Sequence, residues 1–209
     1  ERTARFVVGK LVRTEGMALS PVDFLVHVHV LEPNPETLPR QRLQDVVSWV
    51  FADTTVTSDK LIAILVQRLM SHSVIPPMLM STVSAIWRER PALSRFIMSQ
   101  LGQLISSSKS SKKKVWKDAQ IWQGFVDFIL MARPQSLQLA FQLPVKPFAA
   151  LLKRNPELLA NLTAFANDQR GRIPRSHIEA LQERAKKNRK KAKAAAAKAA
   201  QAAAMPQAE

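Results

Sequence analysis

The stretch VWKDAQIWQGFVDFILMARPQSLQLAFQLP, Val115 to Pro144, decides the fold class. Ile121, Trp122, Phe125, Val126 and Ile129 recur at the spacing of one helix face. Trp116 and Trp122 lie within two turns of each other, which gives this helix a large apolar area to bury. Arg133-Pro134 stops it, because a residue before proline is pushed out of the α region. Pro134 has the fixed φ of a first helical position, so the spacing predicts a second helix starting at once. Two helices joined by almost no loop, packed together and needing neighbours on both sides, are the expectation.

Working outward, thirteen prolines against five glycines predict helices repeatedly stopped and restarted. Five glycines are too few for a turn-rich β sandwich or a glycine-built phosphate loop. The 209 residues suffice for one good-sized core, or one domain plus a tail. Glu1 in place of an initiator Met is expected of a segment of a longer chain. No apolar run approaches the ~18 residues of a membrane span, so a soluble chain without membrane contact is expected. The lack of cysteine excludes disulfides and Cys-based zinc sites.

Upstream, Phe6, Val7, Leu11 and Val12 form a short stripe, read as a lead-in helix or linker over residues 1–17. Ser20-Pro21-Val22-Asp23 is a helix start, so the alternating FLVHVHVL of Phe24 to Leu31 is read as helix rather than strand. Pro33 to Pro39 is a loop. Leu43, Val46, Val47, Val50 and Phe51 make an amphipathic helix. After a turn from Asp53, Ser58 caps a helix through Leu61 to Met70 that is apolar on nearly every side, as if set between layers of neighbours. Pro76-Pro77 and Pro91 restart the chain into stripes ending near Trp87 and Ile105. Ser106 to Lys114 (SSSKSSKKK) reads as an exposed, mobile loop.

Downstream, Phe148 to Leu152 and Leu158 to Phe165 predict two more helices, and Gly171 is expected to end the compact region. The expected division is a helical scaffold domain over 18–170 and a basic tail over 171–209, either a fraying helix or disordered. Residues 170–209 hold 11 Lys/Arg against 3 Asp/Glu, a net +8, while 1–169 hold 20 against 13, a net +7. The folded part is thus only moderately basic and the tail strongly so. Helices in consecutive pairs of ~40 residues predict an all-α, irregular HEAT-like stack of helical hairpins.

Candidate chemistry is sparse. His27 and His29, two apart, point to opposite sides of a helix and are read as structural, and no third ligand motif joins them. There is no HExxH, nucleophile elbow, P-loop or paired-carboxylate pattern, so no catalytic, cofactor or metal residue is assigned. Trp49, Trp87 and Trp122 sit on apolar stripes and belong to a core. Trp116, beside the lysine cluster, is the tryptophan expected at the surface. With Arg133 it is the candidate partner anchor, since Trp and Arg dominate interface hot spots. The basic loop Lys112, Lys113 and Lys114 is read as solvated charge. Lys186, Lys187, Arg189, Lys190 and Lys191 are a candidate nuclear import signal, with phosphate contact as the second reading.

Several stretches resemble one family. Trp116-Lys117, Trp122-Gln123-Gly124-Phe125, Arg133-Pro134-Gln135-Ser136 and Gln142-Leu143-Pro144 are similar to the C-terminal domain of symplekins. So are Ser20-Pro21 through Glu32, with His29 at a typical histidine position, Thr57-Ser58, Leu69-Met70, Pro77 to Met80 and Thr82-Val83. The series spans about Leu19 to Leu181. The resemblance implies an all-helical, HEAT-like scaffold of pre-mRNA 3′-end processing, nuclear and without an active site. It further implies binding to the C-terminal regions of two cleavage and polyadenylation specificity factor subunits, the metallo-β-lactamase endonuclease and its inactive paralogue. Ser106 to Lys113 looks longer than the family's turn, and the Ala/Lys tail is not a family feature. The competing expectation is a helical module that binds RNA or DNA weakly through the basic loop and tail.

Overall fold

The computed structural model describes residues 20–52, 57–110, 114–169 and 171–203. Among these, ten α-helices and no strands are found: α1 Pro21–Val30, α2 Arg40–Ala52, α3 Asp59–Ser71, α4 Leu79–Glu89, α5 Ser94–Ser110, α6 Ala119–Met131, α7 Leu137–Gln142, α8 Val145–Arg154, α9 Leu158–Asp168 and α10 Arg175–Ala203. The fold is all-α. The stripe at Phe6 to Val12, the turn at 53–56, and Lys112 and Lys113 lie outside the described residues.

The helix starts are made by side chains the sequence supplies. Ser20 Oγ accepts the backbone N–H of Asp23 at 3.2 Å and donates to its carboxylate at 2.5 Å. Ser58 Oγ accepts from Leu61 N at 3.3 Å, and Asp118 Oδ1 takes two N–H groups at the start of α6. The Ser20 start carries FLVHVHVL as helix α1, with His27 exposed and His29 buried on the opposite side.

Two compact units divide between Ala132 and Arg133. In the first, α3 packs against α1, α4 and α5, and α4 also packs against α5 and α6. Ile62, Leu65, Val66 and Leu69 of α3 are buried among them, whereas Ile64 reaches the surface. Trp87 meets Phe128 edge to face at 5.4 Å, joining α4 to α6. Trp122 is buried, but Trp87 and Trp49 are only half-buried, at the border of the core. In the second unit α10 packs on α8 and α9, and α9 on α7.

Three expectations are corrected. Pro134 does not open a helix: the Arg133-Pro134 bond is cis, the chain turns through Ser136, and α7 begins at Leu137. Ser106 to Ser110 continues α5 rather than forming a loop, since a polar run does not by itself stop a helix already nucleated upstream. The compact region does not end at Gly171, whose φ of 82° only makes the turn into α10, because His177 and Leu181 beyond it are buried.

α4 and α6 come close where Gly124 faces Met80. A Cβ built on Gly124 would stand 2.6 Å from Met80 Cβ, an atom too near the backbone to swing aside. Gly124→Ala is therefore expected to lower stability by about 1–2 kcal/mol despite alanine's helix preference, read as a lower urea midpoint with unchanged slope.

Candidate interaction surface

A groove of about 250 Å³ opens between α2 and α4 in the first unit. Its floor is apolar, formed by Val47, Phe51 and Met78, while Gln44, Arg88 and Glu89 stand along its sides. Arg40 donates from Nη2 to the Pro77 carbonyl at 2.8 Å, fixing the start of α2 against the turn before α4. Thr57 donates to the Phe51 carbonyl at 3.2 Å, capping the other end of α2. The groove is thus pinned at both ends of one wall.

Behind the groove lies a buried polar pair. Thr82, which lines it, meets His29 Nε2 at 2.7 Å, and His29 Nδ1 meets the Leu25 carbonyl at 2.7 Å. A carbonyl only accepts, so Nδ1 carries the proton and Nε2 accepts from the Thr82 hydroxyl. His29 is 0 % exposed. Burial pushes its pKa down to about 4, and the Leu25 hydrogen bond opposes this less strongly. On the same helix, hydrogen bonds from Ser20 and then Arg68 hold the Asp23 carboxyl below its ordinary value, with Arg68 linking α3 to α1.

The second unit has its own groove of about 260 Å³, lined by Ala149, Ala150 and Lys153 of α8 and by Ala180, Arg184 and Lys187 of α10. Arg184 Nη2 donates to the Lys153 carbonyl at 3.1 Å and so anchors α10 on the end of α8. Deeper in, His177 Nε2 donates to the Leu143 carbonyl at 2.8 Å, and its ring lies 4.8 Å from that of Phe148.

The residues singled out in the sequence fall in separate places. Trp116 is half-buried in the turn that precedes α6, next to buried Val115. Arg133 is exposed at the start of the second unit. Lys114, half-buried, accepts from Lys117 N through its carbonyl at 2.8 Å. Lys186, Lys187, Arg189, Lys190 and Lys191 are exposed on α10. Neither groove was found from the sequence. Their linings carry no motif that a stretch of sequence displays.

Among the described residues, no group of three or more His, Cys, Asp or Glu is placed to hold a metal ion, and no helix is long and apolar enough to cross a membrane. Fold and surface together define an all-helical protein that presents grooves and charged helix faces. A family model described as the symplekin tight junction protein C terminal matches residues 2–155, and the chain belongs to that family. The match begins earlier than the motifs quoted above and ends within the turn after α8. No solved structure matches the chain. Membership carries a scaffold role in mRNA 3′-end processing, in a family that is generally non-catalytic and associated with nuclear mRNA processing.

Proposed function

We propose that this chain is a non-catalytic, HEAT-like scaffold that holds the C-terminal regions of the cleavage endonuclease subunit and of its inactive paralogue. The observation that carries the reading is the family match over 2–155. In this reading the α2/α4 groove receives a segment of the partner. That groove lies wholly within the matched span and joins an apolar floor to polar walls, the combination a polypeptide interface uses. Trp116 acts as an outlying anchor of an interface on the order of 1,600 Å² on the first unit, and Arg133 as a separate contact of the second.

Capture from nuclear extract with the purified chain, read by mass spectrometry, tests the reading. Both nuclease-family subunits should be recovered, and a reproducible partner set lacking them would overturn it. Ser48→Arg with Ala85→Arg puts two guanidinium groups into the groove from positions outside the core. The pair is expected to weaken partner binding at least about tenfold, by ~1.4 kcal/mol or more, without lowering the melting temperature.

The protein acts in the nucleus in this reading, with the run from Lys186 to Lys191 as its import signal. Replacing Lys186, Lys187, Arg189, Lys190 and Lys191 by alanine in a fluorescent fusion is expected to shift the steady state toward the cytoplasm. Unchanged nuclear accumulation would remove the signal from this stretch.

A further inference from the structure

On α10, Lys186, Arg189, Lys190 and Lys193 stand at i, i+3, i+4 and i+7, the spacing of a single helix face. All four are exposed, while the side of α10 carrying buried His177 and Leu181 points elsewhere around the helix. Arg184, Lys187 and Lys191 lie on another side of the helix, where Arg184 holds the Lys153 carbonyl and Lys187 pairs with Glu183. The four cations of this face, Lys186 to Lys193, span ~10 Å of helix, an average spacing of roughly 3.5 Å. Along one strand of a duplex the phosphates advance ~3.4 Å each, so the face can follow a single strand's charges. Glu183 pairs with Lys187 at 2.5 Å, and no carboxylate follows it on the helix as far as Ala203.

We propose that this face of α10 binds the phosphodiester backbone of a nucleic acid without reading its sequence. From Arg184 to Ala203 the uncharged side chains are only alanines, Asn188 and Gln201. A stable protein interface needs aromatic or branched anchors at its centre, and this stretch has none. A membrane-surface helix needs a broad apolar face to embed, which alanine methyls do not provide. A polyanion asks only for matched charge. The Arg184 to Lys153 contact and buried His177 root the helix, so less order is lost when the anion arrives. Lysine and arginine facing phosphates fix position, and base edges are not read. This inference is independent of the scaffold reading, because it needs no protein partner.

Fluorescence anisotropy of the full chain with labelled duplex DNA, duplex RNA and single-stranded RNA tests it across a salt series. About four contacts on a duplex give a log–log salt slope of about −3 to −4, or roughly a hundredfold loss between about 50 and about 200 mM salt. The variant Lys186→Ala, Arg189→Ala, Lys190→Ala, Lys193→Ala keeps its helix, since alanine is the strongest helix former. It should lose at least about tenfold in affinity and flatten the slope. Arg42→Ala, Lys60→Ala, Arg95→Ala, Lys146→Ala removes the same charge from exposed positions elsewhere and should change little. Tight binding to any of the three nucleic acids with that slope and that variant pattern supports the assignment. No binding at low salt, equal losses in the two variants, equal affinity for polyglutamate, or binding to anionic vesicles alone would overturn it.

Discussion

Phe148→Ala is expected to destabilise the second unit by about 3–5 kcal/mol and lower its melting temperature by about 10 °C or more. Phe148 is 0 % exposed, and its ring contacts Phe141 at 5.3 Å and His177 at 4.8 Å. Phe141 in turn stacks on Phe165 at 5.7 Å, so one cluster draws side chains from α7, α8, α9 and α10. Truncation removes the ring's transfer free energy and leaves a cavity that four helices cannot all close at once. α10 should fray at its root as well. Amide exchange across residues 175–184 is the sharper readout, because it should rise in Phe148→Ala while α3 and α4 stay protected. Unchanged protection in 175–184 would mean that α10 does not depend on this cluster.

Stability should also fall steeply with acid, and His29 sets the window. Its pKa is about 4 in the folded chain against an ordinary 6.5. Between those values the unfolded chain binds the proton more readily, so stability rises with pH there. The contribution is complete above about pH 6.5 and is lost as pH falls toward about 4, for a total of about 3 kcal/mol. Urea unfolding of the wild type and of His29→Leu through this range isolates the effect. The variant should start lower at neutral pH, where Thr82 loses its acceptor, and then show a flatter pH profile. Parallel profiles would show that His29 titrates normally. Because Thr82 lines the α2/α4 groove, partner binding should weaken over the same window.

How much of this was legible depends on where the information sits. Ser20 and Ser58 announce their helices because a cap is a local device, one hydroxyl answering an N–H three residues on. The opposite fates of His27 and His29 follow from helical geometry alone. The Ser106 to Ser110 run misleads because polar residues lack a core signal without stopping a helix that is already formed. The root of α10 is hidden for another reason: it buries a narrow strip, and one residue of that strip is a histidine whose partner, Leu143, is far away in sequence. The grooves are not written in any segment. They arise from the spacing between helices such as α2 and α4, which is fixed by distant contacts like that of Arg40 with Pro77.

The most direct measurement of the central claim is a calorimetric titration of the purified chain with the C-terminal regions of the endonuclease and its inactive paralogue. It should be run at about 150 and about 300 mM salt, and repeated after removal of residues 182–209. Saturable, stoichiometric binding that changes only a few-fold with salt and survives the truncation is the predicted result. No binding, or binding that vanishes at the higher salt or with the tail, would contradict the scaffold account.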